Sequence, residues 1–550
     1  MSTAHDLTET DRRIREASDR VRAFAEALLA WTQAPGIAIA ITDRNRTIVE
    51  LPLGFADPAA GVPVAPDTLF EPGSIGKSFT AALVMQLVDQ GIVDLHVPVQ
   101  TCLPWFEVQS DYGPITLHHL LSHTAGIISG FEHSPDGRSE VWSLRHTRAF
   151  APPGERFSYS NLGYKALGLV LERVTGQTCQ SLVEERIFQP LGMRHSHGAI
   201  TDRIRDDLAV GHVPRFGDRP WQPEHGFVAA PWLETGTADG CLAMTAGDLA
   251  VWARCLLNDG RGVLSPARFA EMITPVLGWD ARPTYGYGLG VRRENGVDII
   301  DHEGGMVGYI SSMTVDRSNG FGVVVLANAM VETPLVAEYA SEVLRAAYTG
   351  GEWPDPPDVL TDALPGDIAG LDGSWRDPVA GLAIEVVVGA DRLSVDVGNG
   401  PLALRPSPHG LVPDTYLIAG DSDWARFPVT FERDDDGRII ACRHGEHRFL
   451  RDGVSGLPAP ETSEVWRSCV GHYRSHNPWV SGMRVVLRHG HLYMIFYRGS
   501  EQRLVPEGDG FRVGDGDIAP NWIRFSDIAD GKALRLIFEN GAEYHRFFTP

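Results

Sequence analysis

The chain opens on a stripe of apolar positions at helical spacing: Ile14, Ala17, Val21, Phe24 and Leu28 predict an amphipathic helix packed on a domain. Alternating apolar residues over 36–41 and 47–51 then predict a hairpin, and similar runs at 285–291, 299–302, 309–315 and 322–327 predict further strands. Between these groups the period returns to that of a helix. Phe79, Leu83, Val84, Leu87 and Val88 predict a helix over 75–91, and segments 181–191 and 246–257 read the same way. Strands contributed by both ends, with helices between, predict one antiparallel sheet covered by helices, an α+β domain spanning residues 1–348.

The pattern changes after that. Residues 349–366 are acidic and carry Pro354, Pro356, Pro357 and Pro365, the mark of a linker. Short alternating strands and Gly/Asp turns follow, and they repeat: Gly373-Ser-Trp-Arg376 returns as Gly471-His-Tyr-Arg474, and His447-Arg-Phe449 as His545-Arg-Phe547, at the same offset of 98 residues. Equal offsets at both ends imply duplication of a whole module. Each copy, 367–452 and 465–550, has the length and pattern of a small antiparallel β-barrel or sandwich, with a second linker at 453–464 between them. Neither copy carries an evident catalytic constellation, so packing or gating of substrate is the simpler role.

Composition narrows the function. A hydrophobic content of 43% and a charged content of 22% belong to a globular protein, and the net charge of −23 repels nucleic acid and anionic membranes. Six cysteines lie scattered without C-x-x-C spacing, which predicts reduced core residues and neither a metal site nor a disulfide framework. The first residues mix Asp6, Glu9, Asp11, Arg12, Arg13 and Arg15, unlike a signal peptide, and no apolar run reaches membrane-spanning length. The expectation is a cytoplasmic protein without cofactor, acting on a small peptide, amide or ester, with a homodimer left open.

The candidate chemistry begins with a scarcity. Only three lysines occur in 550 residues, and Lys77 lies three residues after Ser74 in Glu-Pro-Gly-Ser-Ile-Gly-Lys-Ser-Phe-Thr. At a helix start this spacing puts amine and hydroxyl on one face, and the positive end of the helix dipole favours charge developing on the serine oxygen. That is an activated-nucleophile arrangement, although an N-cap serine followed by a surface lysine has the same sequence. Lys165 and Lys532 lack a serine at that spacing. Two further segments add to it. Tyr159-Ser-Asn161 follows a Pro/Gly turn; a tyrosine near a cation can exchange a proton and an asparagine can orient a carbonyl, while an Asn N-cap beside a core tyrosine is the alternative. His302-Glu-Gly-Gly305 ends a predicted strand, where glycines admit a close substrate and free N–H groups, and His302 could bind substrate or move protons or be a half-buried strand residue. Asp301 and Glu303 could charge the pocket for a free amine or point away from it.

Together these residues resemble the penicillin-recognising serine hydrolases, among them class C β-lactamases, D-Ala-D-Ala carboxypeptidases, D-stereospecific aminopeptidases and related esterases. Ser74-x-x-Lys77, Tyr159-Ser-Asn161 and His302-Glu-Gly304 match its three ordered motifs, and Leu120-Leu-Ser-His-Thr-Ala-Gly126 resembles a further common segment. The resemblance implies a β-lactamase/transpeptidase-like domain, followed as in D-aminopeptidase by two small lipocalin-like barrels. It implies an acyl-enzyme on Ser74, with Lys77 and Tyr159 sharing base duty, the N–H groups of Ser74 and Gly305 as oxyanion hole, and Asn161 and Gly304 at the substrate. Most β-lactamases of the group carry lysine where His302 stands, which directs the expectation to amides of small or D-configured peptides. Esterase, acyltransferase or peptide-cyclising thioesterase activity, and a penicillin sensor without turnover, are the alternatives.

Overall fold

The computed structural model describes residues 9–130, 134, 136–358, 368, 370–389, 392–407, 414–420, 422–451, 463–496, 499–516 and 520–547. Contacts divide the chain into two compact units, Met1–Val213 with Phe227–Pro357, and Pro214–Gly226 with Asp358–Pro550.

The first unit is built on a seven-stranded antiparallel sheet. The hairpin Gly36–Asp43 and Thr47–Asp57 forms one side, with the short Val62–Pro63 at its edge, and Gly290–Glu294, Val297–Met306, Tyr309–Asp316 and Phe321–Ala327 form the other. The two groups join because Gly36–Asp43 pairs with Phe321–Ala327, Ile37 opposite Ala327 and Asp43 opposite Phe321. Every residue of Phe321–Ala327 is buried, so both sheet faces are covered. Phe321 stacks on Tyr348 of the helix Thr333–Thr349, whereas the next residue, Gly322, faces Ala253 of the helix Ala246–Leu257. The first helix, Glu9–Thr32, buries Ala17, Val21, Phe24 and Leu28 and packs on Thr333–Thr349, with Phe24 against Tyr339. The expected α+β architecture is therefore present.

Three elements differ from the periodicity. Strand pairing begins at Gly290; Tyr285 makes a single bridge to Gly290, because Gly288 turns the chain at φ +69 and Gly286 N–H closes the turn onto the Leu289 carbonyl. The strand expected to end at His302 runs on to Met306, since Gly304 and Gly305 stay extended opposite Ser311 and Ile310. The helix after Pro72 begins as a 3₁₀ turn, Gly73–Ile75, and continues as Gly76–Asp89, buried on all sides rather than on one stripe.

The second unit contains two closed barrels of eight antiparallel strands each, running from Gly373–Arg376 to His447–Arg451 and from Gly471–Arg474 to Glu543–Phe547. The duplicated motifs are the closing strands: Trp375 pairs with Arg451 at one seam, Tyr473 with Arg546 at the other. The Trp375 indole donates to the Leu371 carbonyl at 3.2 Å and the Tyr473 hydroxyl to the Cys469 carbonyl at 2.8 Å, so the seam aromatic anchors the preceding turn in both copies. Side chains fill the first barrel: Trp375, Val386, Val395, Tyr416, Phe431 and Phe449 share one buried core. Residues 351–358 of the first expected linker form neither helix nor strand, and 359–367 lie outside the described residues. Of the second expected linker, 453–462 lie outside them, and Glu464 opens a short helix, Glu464–Cys469. None of the six cysteines is in a disulfide, and no described helix is long and apolar enough to cross a membrane.

Candidate active site

Ser74 sits on the 3₁₀ turn Gly73–Ile75, and Lys77 on the first turn of the helix that follows. Lys77 Nζ donates to Ser74 Oγ at 2.9 Å and to the Asp239 carbonyl oxygen at 2.6 Å. Lys77 is fully buried while Ser74 is partly exposed, so the hydroxyl is accessible and its partner is not. The surface-lysine alternative is thereby removed. Gly73 has a left-handed φ of +54, and a Cβ there would strike the backbone of Gly305, while a Cβ on Gly240 would overlap the Gly73 carbonyl. Two strained or crowded glycines thus seat the turn between the sheet edge and the Asp239 loop.

Tyr159 lies on the irregular segment before the helix Asn161–Thr175. Its ring is 4.9 Å from Lys77 Nζ, and Tyr164 presents a second ring at 5.7 Å. The N-cap of the helix is Ser160, whose hydroxyl accepts from Gly163 N–H, so Asn161 does not cap it. Its Oδ1 is buried without a hydrogen-bond partner. A buried amide oxygen left open in this way is costly unless a ligand or water completes it. His123, from the Leu-Leu-Ser-His-Thr-Ala-Gly segment, lies against Tyr159 with ring centroids 4.2 Å apart and accepts from Ser160 N–H at 3.0 Å. Burial first, then the proximity of Lys77 and His302, pushes its pKa well below the ordinary histidine value.

His302 is buried on the strand Val297–Met306. Its Nδ1 meets the Glu303 carbonyl at 2.5 Å and its Nε2 the Tyr285 hydroxyl at 2.9 Å. Because a carbonyl can only accept, Nδ1 carries the proton and Nε2 accepts from Tyr285. Burial, with Lys77 as the second cause, brings its pKa down to about 4, so the ring is neutral at pH 7. Strand alternation sends Asp301 and Glu303 to the other side of the strand from His302; Asp301 pairs with Arg292, and Glu303 is exposed. The strand Gly290–Glu294 pairs no further than Asp301, which leaves Gly304 and Gly305 at a free edge facing the Ser74 turn. A Cβ on Gly304 would overlap the Pro72 carbonyl, and Ser311 Oγ donates to that same oxygen at 2.6 Å. The glycines therefore permit strand and nucleophile turn to meet. The structure thus gathers Ser74, Lys77, Tyr159, Asn161, His302, Gly304 and Gly305 around one centre. Among the described residues no cluster of three or more His, Cys, Asp or Glu is placed to hold a metal ion.

The family described as Beta-lactamase matches residues 21–348. The chain belongs to this family. It is 31% identical over 369 residues to Penicillin-binding protein 4 of Amycolatopsis lactamdurans, covering 64% of this chain and 95% of that protein. It is 28% identical to an Unguisins hydrolase of Aspergillus violaceofuscus, covering 56% of this chain and 61% of the relative. Identity to a D-aminopeptidase of Gluconobacter oxydans is also 28%, with 60% and 62% covered, so the chain spans less than two thirds of these last two relatives. Among solved structures, an octameric penicillin-binding protein homologue from Pyrococcus abyssi shares the fold at a TM-score of 0.57 and 24% identity, covering 79% of this chain and all of that one. SurE superposes at a TM-score of 0.51 with 25% identity, over 80% of this chain and 99% of its own. The chain is a serine hydrolase of the β-lactamase family.

In this β-lactamase-family hydrolase several residues around the centre escaped sequence reasoning. Lys165, set aside because Leu162 occupies the serine position, is buried and hydrogen-bonded to Glu140, and its ammonium is 3.9 Å from the Asp239 carboxylate. Thr237 donates to the other oxygen of that carboxylate at 2.6 Å. Asp239 thus has its side chain fixed by Lys165 and Thr237 and its carbonyl turned to Lys77. The scarcity of lysine was the available signal for Lys165. For His123 the signal was its place in the Leu120–Gly126 segment, and Tyr285 gave none, since its role arises only when distant loops meet.

Proposed function

We propose that this hydrolase cleaves amide bonds of small or D-configured peptides through an acyl-enzyme on Ser74. The 2.9 Å contact between Lys77 Nζ and Ser74 Oγ carries the reading. Lys77 with Tyr159 takes the serine proton as Oγ adds to the carbonyl carbon. The N–H groups of Ser74 and Gly305 receive the oxyanion, and Asn161 Nδ2 and Oδ1 orient the substrate amide. As the C–N bond breaks, Tyr159 returns the proton to the departing amine; water then attacks the ester and regenerates Ser74.

The strand Val297–Met306 supports the substrate class. A neutral His302 gives no charged partner to a substrate carboxylate, unlike the lysine that most β-lactamases of this group carry there. This disfavours β-lactams and C-terminal acids and favours peptides recognised through an amine or amide. A relative named D-aminopeptidase supports the same reading.

Intact-mass spectrometry after exposure to D-Ala-p-nitroanilide, p-nitrophenyl esters and nitrocefin tests this. The expected result is turnover of the anilide with a transient acyl adduct that is absent from Ser74→Ala. A stable penicillin adduct with no turnover of any substrate would establish a sensor instead, and turnover of esters alone an esterase.

A further inference from the structure

We propose that the cleft between the two barrels is a binding site for a small organic oxyanion, a carboxylate or phosphate carried on a flat or apolar body. The cleft has a volume of about 380 Å³ and is lined by Trp424, Arg426, Phe427 and His444 of the first barrel and His472 and Arg484 of the second. That volume lies within the range of small-molecule pockets, about 300–1,000 Å³.

Charge is what points to the ligand. Arg219, Arg426 and Arg484 converge on one carboxylate, Asp218, at 3.1, 3.7 and 3.5 Å. Arg426 also reaches Asp423 at 2.7 Å, but that aspartate is 78% exposed and water screens it. The Nε atoms of Arg426 and Arg484 are buried and have no hydrogen-bond acceptor. Guanidinium groups enclosed with too few acceptors carry a desolvation cost that an incoming oxyanion relieves, and their forked donors fit carboxylate and phosphate oxygens in pairs. The crowding is felt by the neighbours: burial and then Arg484 and Arg474 bring His472 down to about 4, so it adds no charge. A chain of net charge −23 has thus grouped three guanidinium groups around one carboxylate here, while Asp423 and Glu446 also stand on the cleft wall.

The contrast with the adjoining contact between the barrels is instructive. There Arg443, Arg448 and Arg488 meet Glu432 and Glu501. That contact is cohesive without a ligand. Beside the cleft, by comparison, three guanidinium groups share Asp218, and two of them, Arg426 and Arg484, line the cleft itself. The aromatic wall supplies the other half of the recognition. Trp424 stacks on His444 at 4.4 Å, Phe427 meets the same ring edge-on at 5.7 Å, and Arg484 lies 5.8 Å over Phe427. Planar or apolar groups pack well on such a surface.

Isothermal titration of the full chain with citrate and with inorganic phosphate, at constant ionic strength set by sodium chloride, tests the site. One saturable event is expected, with Arg484→Gln and Arg426→Gln each weakening it at least tenfold and Arg484→Lys falling between. The tighter probe identifies the head group. Should Arg484→Gln fail to fold, as read by melting, Arg426→Gln decides. Absence of saturable binding by either probe, or equal affinity in the folded Gln variants, overturns the proposal.

Discussion

Lys165 and Glu140 form a buried ion pair whose ammonium also stands 3.9 Å from Asp239, the residue whose carbonyl accepts from Lys77 at 2.6 Å. The pair therefore acts on the lysine beside Ser74 through the Asp239 peptide. Removing one partner leaves charge buried without compensation, a loss of about 3–5 kcal/mol. Lys165→Met is expected to lose stability on that scale in urea titration and to displace the acidic limb of the kcat/KM pH profile. Lys165→Met with Glu140→Gln should recover part of the stability, and failure to do so would show that the two do not act as a pair.

His302→Lys places a cation on the strand Val297–Met306. A hydrogen bond to a charged group contributes about 1.5–3 kcal/mol, roughly 10–100-fold in binding. Acylation by a penicillin, followed by intact mass, is expected to accelerate on that scale, while turnover of uncharged amides falls. An unchanged penicillin rate would mean that position 302 does not face the substrate carboxylate.

Two buried groups tilt stability with pH in opposite directions. Burial lifts Glu71 from its ordinary 4.5 to about 8, so between these values the unfolded chain has lost a proton that the folded chain retains, and stability decreases as pH rises through that window. His302 is lowered from 6.5 to about 4, so the unfolded chain binds the extra proton first and stability decreases as pH falls from 6.5 towards 4. Melting temperatures of Glu71→Gln are expected to be flatter than those of the parent between pH 6.5 and 8, where His302 no longer contributes. A parallel decline in both would remove Glu71 as the cause.

The seam of the first barrel rests on Trp375, fully buried against Phe431. Trp375→Ala should cost about 3–5 kcal/mol, the scale of a large aromatic deleted from a core. Loss of near-ultraviolet dichroism from that barrel at unchanged hydrolysis would separate its stability from the chemistry.

Local spacing made the central pair legible: Ser74 and Lys77 are neighbours wherever the segment is helical, and the barrels announced themselves through alternation and a constant offset. What escaped were relations made by folding. Gly288 replaces the strand expected over 285–289 with a left-handed turn, and alternation cannot register a single positive φ. Glu140, Lys165 and Asp239 meet across three segments that no local spacing links. His302 was readable as a site residue, but its tautomer depends on Tyr285 and the Glu303 carbonyl, which no motif reveals.

Each barrel is sealed by pairing its earliest strand with its latest, and the two copies stand in tandem. During synthesis the opening edge of the first copy must wait for its own final strand, while that of the second offers a homologous rival soon after. Divergence at the closure, Trp375 with Arg451 in one and Tyr473 with Arg546 in the other, gives each copy a distinct lock and so discourages exchange of strands between siblings.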